Sequence, residues 1–337
     1  MDRLVAMLRA AGDPTRLRLL LLLRQAELAV SEIVEIIGQS QPRVSRHLKL
    51  LCDAGLLERF KEGSWVFYRA SDQGRGGAFG SAVAGLATED LTAHTADLAR
   101  LNRVRETRAA QAAAYFKASA KEWGHIRALH APDKDVEAAI VRHLAERPME
   151  ALLDAGTGTG RMLELLGAHA KHAIGLDISP DMLAVARDRL MRAGLIHCQV
   201  RLGDIYRPPL ENTAAFDAIL FHQVLHYLDD PQSAVATTAR LLRPHGRLLI
   251  ADFAPHQLEF LRTDYAHRRL GFTDREVHGW FQAAGLKPLA TDTIAPPSGA
   301  KGKLTVKIWM ATARVSALHT TRNESPAKRK APIRITG

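Results

Sequence analysis

Residues 151–166 read ALLDAGTGTGRMLELL. Three apolar residues, Ala151, Leu152 and Leu153, lead into Asp154. Gly156, Gly158 and Gly160 follow at alternate positions, and a helix-forming run opens at Arg161. A strand that turns on glycine into a helix brings backbone amides close to a ligand, because glycine accepts the turn's backbone angles and has no Cβ to hold the ligand off. The spacing selects the ligand. A dinucleotide turn has the form Gly-x-Gly-x-x-Gly and would need a glycine where Arg161 stands, so nicotinamide is disfavoured. A phosphate-gripping P-loop is excluded because no Gly-Lys-Ser/Thr follows.

The segments that flank this turn repeat its logic. His172–Asp177 is a second apolar strand ending in an acid, and Asp177 lies 17 residues after Gly160. An acid there suits both hydroxyls of a ribose. Ser179 and Pro180 start the next helix, which places Met182 beside the ligand. Gln199–Ile205 is a third strand and turn, where Asp204 is placed to accept from an adenine amino group. Phe216–Phe221, Gly246–Asp252 and Leu304–Met310 are further strands. Strands alternating with helices predict a doubly wound, Rossmann-like parallel sheet over residues 150–313.

Taken together, DAGTGTG, GLDISPDML, LGD and FDAILFHQVLHYL resemble the successive motifs of class I S-adenosylmethionine-dependent methyltransferases. LLRPHGRLLIADFAPH adds a similarity to the UbiE-like small-molecule branch, with His245 where a second glycine is usual. The resemblance implies S-adenosylmethionine or S-adenosylhomocysteine as the bound cofactor. Its implied binding residues are Asp154, Gly156, Thr157, Gly158, Gly160, Asp177, Ile178, Met182, Gly203, Asp204, Ile205 and Phe221. Methyl transfer is an in-line displacement at a sulfonium, in which positioning and a dry site do most of the work and a base serves only poor nucleophiles. His222, just after the fourth strand, is the first choice for a substrate-facing residue and base. Gln223, His226 and His256 complete the expected substrate pocket, with HRRLGF (267–272) as a lid over it. A packed or solvated histidine is the competing reading at His222. No Asn-Pro-Pro-Tyr motif and no cysteine-rich arrangement is present, so the methyl acceptor stays open.

Residues 1–75 have a different character. Asp13 and Pro14 open a helix whose apolar face is Leu17, Leu20, Leu21 and Leu23; Ser31 is expected to cap a second, ended by Gly38, and Ser40 a third, ended by Gly55. Two short helices joined through a glycine turn form a helix-turn-helix. On the third helix Val44, Leu48 and Leu51 fall on one face, while Gln41, Arg43, Ser45, Arg46 and Lys49 fall on the other. Long hydrogen-bonding side chains near the N-terminus of such a helix suit base edges, and cations suit phosphates. A plain solvated face is the alternative. The strand-like runs 56–61 and 65–69, turned at Glu62 and Gly63, read as a β-hairpin wing with Lys61, Ser64 and Arg69 along the DNA backbone.

DPTRLRLLLLL and SEIVEIIGQSQPRVSRHLKLLCDAGLLERFKEGSWVFYRAS resemble the ArsR-type winged helix-turn-helix repressors. That likeness implies a homodimer reading a near-palindromic operator in double-stranded DNA. It also implies a thiol metal site in many members, but Ala29 and Ser31 stand at the cysteine positions here, so no metal is expected. His94 reads as solvated.

Composition agrees with two soluble modules. The 337 residues carry a net charge of +10, of which +3 falls in residues 1–75 and +5 in residues 314–337. A basic balance favours polyanions but serves solubility equally. No apolar run exceeds five residues, so no membrane-spanning helix and no membrane partner is expected, and no signal-peptide pattern opens the chain. Only Cys52 and Cys198 are present, which excludes a disulfide scaffold and fits a cytoplasmic setting.

The expected organisation is a winged helix over 1–75, a helical linker, dimerisation or lid segment over 76–149, the methyltransferase domain over 150–313 and a basic tail over 314–337. Gly74, Gly76, Gly77 and Gly80 read as a linker, and Leu91, Leu98, Leu101 and Val104 as an apolar stripe for a dimer or for intrachain core. The leading functional reading is a transcriptional regulator whose methyltransferase domain senses cofactor or a small-molecule effector. The others are an active small-molecule methyltransferase with an autoregulatory winged helix, and an enzyme whose winged helix only dimerises.

Overall fold

The computed structural model describes residues 2–62, 65–71, 74–86, 95–108, 110, 132–210, 215–296 and 304–314. Ser64, Leu91, His94 and the basic tail beyond Arg314 lie outside these residues.

The N-terminal module begins with α1 (Asp2–Ala11), a helix that precedes the first capping signal of the sequence at Asp13. α2 (Pro14–Leu23) starts where Asp13 accepts the amide of Arg16 at 3.0 Å. A two-residue strand β1 (Leu28–Ala29) leads into α3 (Val30–Ile37). Ser31 lies inside α3 and does not cap it; Glu32 reaches back to the Ala29 amide at 2.7 Å instead. Gly38, at φ 70°, ends the helix. α4 (Gln41–Asp53) then runs into the antiparallel hairpin of β2 (Leu57–Glu62) and β3 (Trp65–Ala70), and β1 pairs with β3. Leu19, Leu20, Ile33, Val44, Leu48 and Leu51 are fully buried in one core, each contributing roughly 1.5–3 kcal/mol.

The glycines at 74–80 form no linker. They lie in helix α5 (Gly74–Leu86), where Gly76, Gly77 and Gly80 are buried. A Cβ on Gly76 would stand 2.1 Å from the Gly55 carbonyl oxygen, so this glycine lets α5 lie against the chain just after α4, while Gly80 faces Arg24 and Leu20 at α2. The next helix, α6 (95–108), returns along the module. Leu101 and Val104 are buried in the N-terminal core, with Leu98 packed against it. Their stripe is therefore intrachain core. Polar cross-links hold α6, among them two hydrogen bonds from Arg18 to Asp97, one from Arg100 to the Ile36 carbonyl, and the pair of Arg108 with Glu32 at 2.7 Å.

After α7 (Asp133–Leu144) comes the second module. Its strands are β4 (Met149–Ala155), β5 (Ala170–Asp177), β6 (Cys198–Leu202), β7 (Phe216–His222), β8 (Leu242–Phe253), β9 (Leu286–Ile294) and β10 (Val306–Ala313). They form one sheet in the order β6-β5-β4-β7-β8-β10-β9. β4, β5, β6, β7 and β8 pair in parallel, while β10 runs antiparallel to both β8 and β9. The antiparallel β9, whose burial alternates residue by residue, is a strand beyond those the sequence pattern predicts. Helices α8 (Arg161–Leu166), α9 (Pro180–Arg192), α10 (Pro231–Ala239), α11 (Phe260–Asp264) and α12 (Asp274–Ala283) complete the module. Two apolar clusters contain the buried strand side chains. The strand order reverses between β4 and β5 on one side and β4 and β7 on the other. Ligands bind at such a switch point, outside the C-terminal strand ends. His245 is exposed, as expected, but holds φ 63°, the backbone conformation a glycine would take freely.

The modules meet through a charged clasp. Glu27, just before β1, receives Arg187 of α9 at 3.0 Å and Arg201 of β6 at 3.1 Å. The two guanidinium groups also lie over the wing's aromatic rings, Arg187 at 4.1 Å from Phe67 and Arg201 at 3.5 Å from Phe60. Despite the cost of burial, the two arginines hold the Glu27 carboxyl below its ordinary value.

Candidate cofactor pocket and DNA-facing surface

At the end of β4 the chain makes the turn expected of it. Gly156, Gly158 and Gly160 all have positive φ. The Gly156 and Thr157 amides donate to the Leu176 carbonyl at 2.7 and 2.9 Å, which ties the turn to β5. A Cβ at Gly156 would stand 2.4 Å from Val224 Cγ2, whereas one at Gly158 would meet nothing within 4 Å. The turn is thus sealed at its base and open at its crest.

Two acids flank it. Asp154 is buried, and its Oδ2 accepts from Thr157 Oγ1 at 2.6 Å, while Oδ1 has no hydrogen-bond partner among the described residues. Burial pushes its carboxyl up to about 7, with the nearby Asp177 charge adding to the rise and the Thr157 hydroxyl opposing it. Asp177 accepts the Gly158 amide at 2.8 Å and the Ser179 amide at 2.9 Å. Ser179 in turn caps α9 through the Met182 amide. Gly203 donates to the Asp177 carbonyl, and a Cβ there would meet Pro209 at 2.5 Å. Asp204 is exposed and accepts the Tyr206 amide at 2.9 Å. Ile205 is buried beside it, Met182 is half-buried, and Ile178 is 74% exposed beyond Asp177. Phe221 departs from expectation: it is fully buried in the apolar core, which commits its side chain to packing rather than to a cofactor.

These residues fit an aminoacyl nucleoside. The unpartnered buried oxygen of Asp154 suits an ammonium group, the open crest at Gly158 admits a ligand, and Asp177 and Asp204 stand at successive strand ends where hydroxyls and an amino group would be met.

The far side of the pocket is rich in histidine. His222 ends β7 half-buried; burial pushes its imidazole down to about 4, against the pull of Asp252, so it is neutral and weakly basic at pH 7. Gln223 follows at φ 52°, outside the usual range for a residue with a side chain, and its amide donates to the Ala251 carbonyl. His226 is buried with Nδ1 2.7 Å from Asp252 Oδ1. Asp252 also accepts the amides of Leu225, His226 and Phe253. In the sequence Asp252 reads only as a strand end, because the hydrogen bonds that make it important come from residues 26 and 27 positions away. His256 is half-buried, with its Nδ1 accepting the Leu258 amide and its Nε2 buried without a partner. The segment 267–272 covers this corner: the Arg268 and Arg269 amides donate to the His226 carbonyl, and the His267 ring lies 4.2 Å from that of His226. Arg268 pairs with Asp229 at 3.4 Å.

On the N-terminal module, α4 divides as its sequence suggests. Val44, Leu48 and Leu51 are buried; Gln41, Arg43, Arg46 and Lys49 are exposed, and Ser45 is half-buried. Among the described residues no acid pairs with Arg43, Arg46 or Lys49. Lys61 is exposed on β2. Arg69 differs from the expected backbone contact: its Nε donates to Glu58 at 2.9 Å across the hairpin and its side chain is largely covered. Trp65, which the sequence pattern marks only as a strand residue, is 56% exposed at the wing's tip.

The fold and these sites define a winged-helix module joined to a methyltransferase-type sheet. Residues 13–59 match the model of the arsR family of bacterial regulatory proteins, and residues 153–250 match a methyltransferase-domain model. The chain is 34% identical over 116 residues to a demethylmenaquinone methyltransferase of Tropheryma whipplei, covering 34% of this chain and 46% of that protein. It is 30% identical over 148 residues to a ubiquinone biosynthesis O-methyltransferase of Xylella fastidiosa, covering 40% and 60% respectively. A malonyl-[acyl-carrier protein] O-methyltransferase of Serratia marcescens is 35% identical over 135 residues, covering 38% and 51%. The chain therefore spans about half the length of the curated relatives it matches. Among the described residues no helix is long and apolar enough to cross a membrane, and no cluster of three or more acids, histidines or cysteines could hold a metal ion.

Proposed function

We propose that this protein is a transcriptional regulator, acting as a repressor, in which S-adenosylmethionine or S-adenosylhomocysteine bound to the methyltransferase domain sets the affinity of the winged helix for operator DNA. One observation carries the reading. The elements adjoining the two nucleoside-facing acids of the pocket, α9 after Asp177 and β6 before Asp204, are the same elements whose Arg187 and Arg201 grip Glu27 and cover the wing's rings. A ligand that binds differently to two arrangements of that clasp shifts the population between them, and so the DNA affinity. The exposed, unpaired cations of α4 supply the DNA face. Leu4 and Leu8, about half exposed on α1, support docking of a second copy, which a palindromic operator requires.

The test is fluorescence anisotropy on DNA from the gene's own upstream region, at fixed salt, with and without each cofactor form. A shift of about fivefold or more, roughly 1 kcal/mol of coupling, supports the sensor. Tight binding that ignores both forms rejects it.

A second reading, an active small-molecule methyltransferase that regulates its own gene, is favoured by the buried His226–Asp252 pair at the substrate end. A carboxylate that holds Nδ1 leaves Nε2 as a proton acceptor for a hydroxyl-bearing methyl acceptor. Turnover with unchanged DNA affinity would select this reading over the first.

A further inference from the structure

A cavity of about 200 Å³ lies between the two modules. Leu23, Ala26 and Ala70 of the winged helix form one side, and Leu190, Leu195 and Val200 of the methyltransferase module form the other. Most of its surface is apolar. The charges around it are already paired: Glu27 with Arg187 and Arg201, Arg69 with Glu58, and Arg108 with Glu32. Arg24 is the exception. Its guanidinium lines the cavity and meets the Ser81 hydroxyl at 3.1 Å; among the described residues no acid faces it. The site is therefore a mostly apolar chamber in which Arg24 is the lining cation that no acid among the described residues meets.

We propose that this chamber is a second ligand site, for a compact apolar monocarboxylate whose body fills the apolar walls and whose carboxylate is met by Arg24. Size and charge argue together. A dry apolar cavity of about 150 Å³ takes a benzene ring, so 200 Å³ suits one ring or a short branched chain bearing an acid group. A guanidinium matches a carboxylate by two parallel hydrogen bonds. Because the walls come from both modules, the ligand is bound only while they are docked, and its binding energy favours the docked arrangement. None of the residues assigned to the cofactor pocket lines the chamber, so a ligand here does not compete with the cofactor for its site.

The experiment is fluorine NMR on the intact chain with 4-fluorobenzoate as probe and uncharged 4-fluorobenzamide as its counterpart, each titrated with and without S-adenosylhomocysteine. Saturable binding of the benzoate at least tenfold tighter than the amide, with saturation still reached in the presence of S-adenosylhomocysteine, is expected. Arg24→Gln should weaken the benzoate about tenfold and leave the amide alone. Ile196 lines the chamber and is 63% exposed, so Ile196→Trp should block both probes without disturbing the core. Thermal unfolding checks that each variant folds, and Ile196→Trp keeps the test decisive if Arg24→Gln does not. Absence of saturable binding, equal affinity for the two probes, or indifference to both substitutions overturns the proposal. So does displacement by S-adenosylhomocysteine, which would place the probe in the cofactor pocket.

Discussion

The candidate cofactor turn and the candidate DNA-facing helix present charge in opposite ways. α4 leaves Arg43, Arg46 and Lys49 exposed to water, where a charged side chain needs no partner. The turn after β4 buries Asp154 with one oxygen unpartnered and its proton held up to about pH 7. The exposed face can be made or unmade with little effect on folding, and on the proposed function it gains its energy when its cations displace the counterions of DNA phosphates. The buried acid is unfavourable in the empty protein and is relieved when a cation arrives. One module thus reads its ligand with surplus charge, the other with a stored deficit.

The contrast can be broken hardest at Asp252. This buried carboxylate accepts three amides and the His226 ring. Asp252→Ala should cost about 3–5 kcal/mol, since it leaves several buried donors unsatisfied at once. Urea unfolding of the intact chain measures it. A cost near zero would mean that the pocket's far wall is not held by this network. Gly156→Ala should cost less, about 1–3 kcal/mol, because the new Cβ meets Val224 and φ is 80°. It should also abolish cofactor binding by lifting the turn off the residue that seals its base. Titration calorimetry with S-adenosylhomocysteine checks the second effect.

These two positions differ in how far the sequence exposes them. The glycine turn, the strand-end acids and the division of α4 are local patterns, set by spacings of a few residues, and they can be read directly. Asp252, Glu27 and the glycines of α5 owe their roles to partners far along the chain. Gly76 looks like a linker residue until the Gly55 carbonyl is found 2.1 Å from where its Cβ would stand. Arg69 looks like a phosphate contact until Glu58 is seen opposite it in the hairpin register. Phe221 follows a motif that points to the cofactor, yet it lies on a central strand whose two faces are both covered, and its side chain is fully buried in the core.

A smaller effect comes from the titration of Asp154. Its folded value of about 7 lies above the ordinary 3.8, so the native chain holds a proton that the unfolded chain has released. Its contribution to stability therefore falls as pH rises from about 4 to 7. His222 has the reverse sign: its value falls from 6.5 to about 4, so it removes stability as pH drops through that window. Asp154→Asn isolates the first effect. A ligand ammonium favours the ionised carboxylate, so S-adenosylhomocysteine should bind about tenfold tighter at pH 8 than at pH 6, with proton release in acidic buffer. Calorimetry in buffers of different ionisation enthalpy detects the proton. A pH-independent affinity in the wild-type chain would show that Asp154 does not meet the ligand's cation.

The gentlest intervention belongs to α4. Lys49→Ala removes one exposed cation with no ion-pair partner among the described residues, so the unfolding midpoint should not move. Its effect should appear only on DNA. If Lys49 meets a phosphate, the slope of log K against log salt should flatten by about 1, equally for operator and unrelated duplexes. Arg43→Ala should behave differently, since removing a base-edge hydrogen bond at the N-terminal end of the helix relaxes preference for the operator by about 1–3 kcal/mol. If both substitutions weaken all duplexes alike, α4 supplies electrostatic attraction without sequence readout, and specificity must come from the wing and its exposed Trp65. If neither changes the salt slope, the polyanion face lies elsewhere, and the exposed charge of α4 serves solubility, as the charge on any helix turned to water can.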